Sequence, residues 1–538
     1  MMRHLLCLLL LLATTPLTAT TSEKEAIARG VFERLVAARG DHSVPDPHFV
    51  LTTGKRSGAR CEGNFIILEE AAYDLCVEFG EDRDAALAGV LAHELIHYYA
   101  GHVYGKEALA LITTGDSGSD FAANEGPLTA QESEADYRGG FLAYLAGYPV
   151  ANLMPRFLDR LYETYALPQR LAGYPDLDER KALAERNHER LRELVAVFEM
   201  ANVLTALERF GEAATYYEHL LRAFPSREMH NNAGVVYARA ALPFFPPTTL
   251  QYVYPIELDL RSRLEGQTRG IGVDPATRNF YLEEARKHFV RAHLLDPDYV
   301  PALINLASTH ALLAASLTEG GVDSLTRAIA ADHHLEAALR AREAIRLADG
   351  TGDPVSAVNA HLLLGILAAL DSEETRVFEH FARAESSPLY SANWSVFRHG
   401  RLPPAPPAPA SPPFVMQEQI GDRTLAELRS APPASTSLLG SGSGRMKLSR
   451  LQISDPGVIL MRHSGGMGSD LTVAHLTREY SGASAMEISV GSTHKDILRE
   501  YGAPAYGVTT LGGELLVYPE SGIIFSLGGG AVSGWYLY

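Results

Sequence analysis

His93-Glu94-Leu95-Ile96-His97 closes the apolar run Ala85-Ala86-Leu87-Ala88-Gly89-Val90-Leu91-Ala92. The run holds no proline and is dominated by helix formers, which predicts a buried helix through all five residues. Histidines four apart share one helical face about one turn apart, so both can hold a single metal ion. Glu94 sits one residue round, where its carboxylate can reach a metal-bound water without itself being a ligand. A zinc hydrolase needs that arrangement. The plainer alternative is a core helix whose histidines are satisfied by hydrogen bonds. A third ligand separates the two, because a catalytic zinc takes three protein ligands and leaves one position open.

A candidate lies about 35 residues further on, in Thr129-Ala130-Gln131-Glu132-Ser133-Glu134-Ala135-Asp136. This stretch predicts a second helix, running through Tyr137 to about Ala146. Glu132 and Asp136 are four apart and share a face. One can bind zinc while the other accepts the N–H of a ligand histidine and so orients its ring. Glu134 is about 200° round from Glu132, so one face cannot easily use both. Thr129 and Glu132 also fit a capping box, which would claim the same carboxylate for the helix start.

The pairing of H-E-L-I-H with E-S-E-A-D-Y-R-G-G resembles the gluzincin family that includes HtpX, the BepA-type periplasmic peptidases, the mitochondrial Oma-type enzymes and the type I CAAX prenyl protease. The resemblance covers about residues 25 to 195. It implies that His93, His97 and Glu132 bind one Zn2+ per chain, that Glu94 is the general base, and that Asp136 supports the site. Asn64, Phe65 and Ile66, with Ile67 and Leu68, look like the family's strand beside the cleft. By analogy an extended peptide would pair with that strand's edge.

Two features depart from the expected patterns. His102 follows His97 by five residues, whereas the metzincin spacing needs six, so His102 is expected to be structural or at the cleft rim. BepA-like members carry Thr-His-Pro after the second helix. Here Gly173-Tyr174-Pro175 stands in its place, and Tyr174 could donate to a developing oxyanion or simply pack.

Met1-Met2-Arg3-His4, the uncharged stretch Leu5 to Ala13 and the small-residue exit ending near Ala19 predict a signal peptide. The apolar run is too short for the roughly 20 residues of a spanning helix. No later stretch reads as a membrane span, so the mature chain is expected in the bacterial periplasm or envelope, or secreted. Beyond the leader the cysteines are Cys61 and Cys76, which are either a disulfide pair or two buried thiols. A net charge of −18 argues against nucleic acid as the main partner.

From about residue 198 the texture becomes paired helices at tetratricopeptide (TPR) offsets. Gly211, Ala213, Tyr217 and Pro225 carry the pattern, as do Ala285, Phe289, Ala292 and Pro297. Asn232-Ala233-Gly234 with Tyr237 and Asn305-Leu306-Ala307 repeat the first-helix theme, and Gly365 with Phe378 and Ala382 follows it loosely. Such repeats stack into a solenoid. The segment from Leu242 to Arg278, rich in proline and aromatics, interrupts the period. Seven prolines between 403 and 413 predict a stiff spacer. Beyond it, Gly457 to Met461 and Gly513 to Tyr518 alternate like strands. The run from Val490 through Gly502-Ala503-Pro504 looks like the SmpA/OmlA-like α+β domain of envelope proteins.

The expected architecture is therefore multidomain. It comprises a signal peptide (1–19), a mainly α gluzincin peptidase domain with a small sheet (23–197), an α-helical TPR solenoid (198–400), a Pro-rich linker (401–413) and a small α+β C-terminal module (414–538). The expected activity is zinc-dependent hydrolysis of peptide bonds in envelope proteins, with the TPR repeats and C-terminal module recruiting substrates or partner proteins. The alternative is a TPR scaffold or chaperone with a vestigial metal site. No paired-carboxylate pattern supports a glycan hydrolase.

Overall fold

The computed structural model describes residues 20–55, 58–102, 125–148, 153–169, 176–246, 248–256, 274–319, 323–351, 353–403, 417–441, 445–466, 468–510 and 513–538. The leader, the segment from 115 to 124, Tyr174 and most of the proline-rich spacer lie outside the described residues. The described residues fall into two compact units. One draws on the stretches 1–36, 47–139 and 148–184, the other on 37–46, 140–147 and 185–538. Mainly helical architecture with more than one unit agrees with the expectation.

The first unit opens with α1 (Thr21–Arg39) and a three-stranded sheet of β1 (His48–Thr52), β2 (Ala59–Glu62) and β3 (Phe65–Glu69). The strand order is β1-β3-β2. β1 runs parallel to β3, pairing His48 with Phe65 and Thr52 with Glu69. β2 runs antiparallel to β3, pairing Ala59 with Leu68 and Glu62 with Phe65. Ile66 and Leu68 alternate onto the buried face of β3 and are fully buried. Helices α2 (Glu70–Val77) and α3 (Arg83–Tyr99) follow.

α3 is the predicted motif helix. Ala85 through Ala92, then Leu95 and Ile96, are buried, so it is apolar nearly all round and runs through the core of its unit. Gly101, at φ +64°, ends it. Gly101 N–H donates to the Tyr98 carbonyl at 3.1 Å and His102 N–H to the His97 carbonyl at 3.0 Å. That pair of bonds is a Schellman motif, which relies on the residue without a Cβ to turn left-handed. α4 (Glu125–Leu145) as far as Gly139, α5 (Leu153–Tyr165) and the start of α6 (Leu177–Ala206) complete the unit. α4 begins four residues before Thr129, so Thr129 is inside the helix rather than its N-cap.

The second unit holds the remainder of α6 and a row of helices: α7 (Phe210–Ala223), α8 (Arg227–Ala241), α9 (Pro275–Leu295), α10 (Val300–Leu317), α11 (Ser324–Thr351), α12 (Pro354–Leu370), α13 (Glu374–Arg383) and α14 (Tyr390–His399). From α7 to α13 each packs on the next in sequence. Pro275, Pro301 and Pro354 stand in the first turns of α9, α10 and α12, where a missing N–H costs nothing. Among the described residues one helix, α10, is long and apolar enough to cross a membrane. It is 83% buried within the protein, as a core helix is.

Past the spacer come a short hairpin, β4 (Gln419–Ile420) and β5 (Arg423–Thr424), and a one-turn helix, α15 (Leu425–Leu428). An antiparallel sheet of eight strands then forms from β6 (Pro433–Leu439), β7 (Met446–Leu451), β8 (Val458–Gly465), β9 (Leu471–Leu476), β10 (Tyr506–Thr510), β11 (Gly513–Tyr518), β12 (Ile523–Gly528) and β13 (Ala531–Leu537). Its order is β10-β11-β12-β13-β9-β8-β7-β6, two meanders joined where β13 pairs with β9. One helix, α16 (His494–Tyr501), carries the run read as SmpA/OmlA-like. A capping box between Thr493 and Asp496 starts it. The sheet packs on the helical part through the buried Tyr216 and His463, whose Oη and Nδ1 are 2.8 Å apart.

Candidate metal centre

α3 and α4 cross where Gly139 faces the backbone of Ala92 and His93. A Cβ on Gly139 would stand 3.0 Å from the Ala92 carbonyl carbon and the His93 nitrogen. The absence of a side chain lets the two helices approach closely enough for a residue on α4 to reach both histidines of α3.

That residue is Glu132. His93 Nε2 and His97 Nε2 are 3.0 Å apart. His93 Nε2 lies 3.6 Å from Glu132 Oε2, and His97 Nε2 lies 3.6 Å from Glu132 Oε1. A tetrahedral zinc with bonds of about 2.0–2.2 Å needs ligand atoms roughly 3.4 Å apart, and these edges bracket that value. Three convergent donors of the types zinc prefers, two imidazoles and a carboxylate, therefore fit one ion. Glu132 is buried, as is His97.

Asp136, one turn along α4, places Oδ1 2.8 Å from His93 Nδ1. That contact puts the Nδ1 proton on the carboxylate side and leaves Nε2 as the ligand atom. His97 has a different support. His102 Nδ1 is 3.0 Å from His97 Nδ1, and His102 Nε2 is 3.5 Å from Glu134 Oε2. Glu134 in turn pairs with Arg138 at 2.5 Å. The Schellman turn at Gly101 brings the His102 ring back over the last turn of α3. So Glu132 and Glu134, pointing to different sides of α4, both serve this centre.

Charge is arranged to favour a cation. Burial alone would raise the Glu132 carboxyl, but the His93 imidazole beside it, with the charges of His97 and Arg180, holds it down at about 2. Burial opposes a charge on His93, yet its bond to Asp136 and the nearby Glu132 carboxylate together outweigh burial and raise it well above its ordinary value. Burial, then His93, pushes His97 down to about 3, leaving its lone pair available. A proton on His93 or a bound metal ion answers the same field. Arg180 Nη2 lies 3.9 Å from Glu132 Oε2 and its Nη1 donates to the Tyr162 hydroxyl at 3.3 Å.

Glu94 is buried on the β2 side of α3, where the Cys61 backbone N–H faces its carboxylate. Burial raises it to about 7, against the opposing pull of His93. Burial and Glu94 in turn push the Cys61 thiol up to about 11. Cys61 and Cys76 are free thiols, which resolves the open choice between a disulfide and two thiols.

The strand expectation needs correction. Asn64 is in the turn between β2 and β3, its carbonyl accepting from the His48 N–H at 2.7 Å. Phe65 and Ile66 belong to β3, the central strand, with partners on both sides. β3 therefore offers no edge to a peptide. Among the described residues, the edge beside Glu94 is that of β2. Local sequence could not reveal this, because strand order depends on pairing across the sheet.

His102, expected to be structural or at the cleft rim, supports the His97 ring from the turn that ends α3. Arg180, in the first turn of α6, was not among the expected site residues, and no local pattern marks it. Tyr174 lies outside the described residues. No protein-family model, curated protein or solved structure matches this chain.

Proposed function

We propose that this chain is an exported zinc endopeptidase of gluzincin type, with TPR-like repeats and a C-terminal module that recruit substrate or partner proteins of the envelope. The observation that carries the reading is the convergence of His93, His97 and Glu132 with Glu94 buried beside them.

Zinc, when bound, supplies Lewis-acid polarisation of a carbonyl oxygen and of a water molecule. His93, His97 and Glu132 would hold it, with Asp136 and His102 orienting the two imidazoles. Glu94 takes a proton from the attacking water and passes it to the leaving amine. Burial raises its carboxyl above the ordinary carboxylate value. An extended peptide pairs with the edge of β2 rather than with Asn64, Phe65 and Ile66. This is strand addition, and it lays a backbone past Glu94. Tyr174 remains a candidate oxyanion donor.

The test is cleavage of casein by the purified chain before and after metal removal. Chelation abolishes cleavage on this reading, and one equivalent of Zn2+ restores it. Cleavage that survives complete removal of metal contradicts it.

A further inference from the structure

The helical row carries three histidine pairs that the proposed peptidase chemistry does not use. His230 on α8 meets His288 on α9 with Nδ1 atoms 3.0 Å apart. His310 on α10 meets His333 on α11 at 2.9 Å, again through Nδ1. His361 on α12 meets His380 on α13 at 3.2 Å, through Nδ1 once more. The three contacts join successive helical hairpins.

They also share a register. In the first hairpin Gly234 stands four residues after His230 and faces Phe289, the residue after His288. In the third, Gly365 stands four residues after His361 and faces Phe381, the residue after His380. In the second, Ala314 occupies the position four after His310. The pairs thus hold equivalent register positions, and in the first and third a glycine lets the two helices close. Five of the six histidines are partly exposed and His288 is buried, so the pairs are open to solvent from one side.

The first pair fixes which nitrogen is free. His288 Nε2 lies 2.9 Å from Glu218 Oε1, which also accepts from the Tyr237 hydroxyl at 3.3 Å. Tyr237 stacks on the His288 ring with centroids 5.6 Å apart. A carboxylate on Nε2 places the proton there and turns the Nδ1 lone pair toward His230. This is the outer support that metal-bound histidines commonly have. Glu218 and Glu284 also approach His288 closely enough that the three could share an ion.

We propose that each of the three pairs binds one divalent transition-metal ion of the imidazole-preferring class (Zn2+, Ni2+ or Cu2+) through its two Nδ1 atoms. Two nitrogens bound at about 2.0–2.1 Å stand roughly 2.9 Å apart when cis in a square plane and roughly 3.4 Å apart in a tetrahedron. The observed separations lie within that span. When a neutral pair binds the ion, the ring that donates its Nδ1 proton takes a proton on Nε2 instead, so both Nδ1 lone pairs face the ion, both Nε2 atoms are protonated and no net proton is released. Water completes the coordination.

The groups around the pairs do not forbid a cation. Arg291 and Glu218 act on the first pair. Arg286 and Arg340 act on the second, with Glu283, Asp332 and Glu336 opposing them. Arg342, Arg376 and Arg383 act on the third, opposed by Asp349 and Glu379. Burial and the neighbouring imidazole hold His230 and His310 down at about 4, so both are neutral and ligating at pH 7.

The experiment titrates the untagged, metal-free full chain with Ni2+ and counts bound ions by mass spectrometry. We expect three ions beyond any held at His93, His97 and Glu132. Each of His230→Ala, His310→Ala and His361→Ala removes one, with at least a tenfold weaker site. A His97→Ala chain keeps all three, so failure of the peptidase reading and failure of this inference give different results. Histidine modification of the wild-type chain provides a readout without substitution, since Ni2+ should protect all six paired residues. Uptake of fewer than three such ions, uptake unchanged by the substitutions, or equal modification with and without Ni2+ overturns the proposal.

Discussion

Asp136 Oδ1 lies 2.8 Å from His93 Nδ1, so the residue four positions after Glu132 settles which nitrogen of His93 faces His97 and Glu132. Removing an outer partner of this kind typically weakens metal affinity by about 10–100-fold. Asp136→Ala is expected to lose zinc within that range while His93, His97 and Glu132 remain. Competition with a chromophoric chelator measures it. Unchanged affinity would show that the contact does not orient His93.

His102 makes the matching argument for His97. Gly101→Ala forces a side chain into the left-handed turn at a cost of about 1 kcal/mol, and it displaces the imidazole that bonds His97. His102→Ala removes the imidazole but keeps the turn. Both substitutions should lower zinc affinity, and only Gly101→Ala should also lower the unfolding midpoint appreciably. Zinc binding unaltered in His102→Ala would leave His102 a packing residue.

The crossing at Gly139 tests whether close helix approach positions Glu132. Gly139→Val must push α4 away from Ala92 and His93 or strain both backbones, at roughly 1–3 kcal/mol. The chain is expected to unfold at lower temperature and to bind zinc more weakly than Gly139→Ala, which in turn binds more weakly than wild type. A thermal-shift series with and without zinc separates the two effects.

Acid stability should depend on Glu212 in α7. Burial alone would raise its carboxyl, but the His463 imidazole beside it and bonds from Arg209 and the Gly468 N–H hold it down at about 2, below its ordinary 4.5. A carboxyl depressed on folding adds stability above its unfolded value, and that contribution is lost as pH falls from about 4.5 toward 2. Denaturant unfolding between pH 6 and 2.5 should therefore show a shallower acid dependence in Glu212→Gln than in wild type. Parallel curves would contradict the assignment.

The legible parts of the chain were those written in local periodicity. α3 announced itself through an apolar run ending in two histidines. α4 followed from Glu132 and Asp136 on one face. Gly234 and Phe289, both noted as repeat positions, do face one another. For Gly365 the partner is Phe381 rather than the Phe378 noted beside it, since a one-turn error along a helix is invisible without the crossing geometry. The sheets resisted for the same reason. Two of the eight C-terminal strands stood out, whereas β6, β7, β9, β10, β12 and β13 become strands through partners far along the chain. The β2 edge and the histidine pairs depend on contacts that no short window contains, whereas the return of His102 is set locally by the turn at Gly101.

The central claim is that Glu94 does the proton chemistry at an ion held by its neighbours, and Glu94→Gln tests it most directly. Zinc content after exhaustive dialysis and casein cleavage should be measured on the same preparations of wild type and variant. The account predicts one tightly held zinc in each and a loss of cleavage of at least about 100-fold in the variant. A variant that cleaves as well as wild type, or a wild-type chain that retains no zinc, would contradict it.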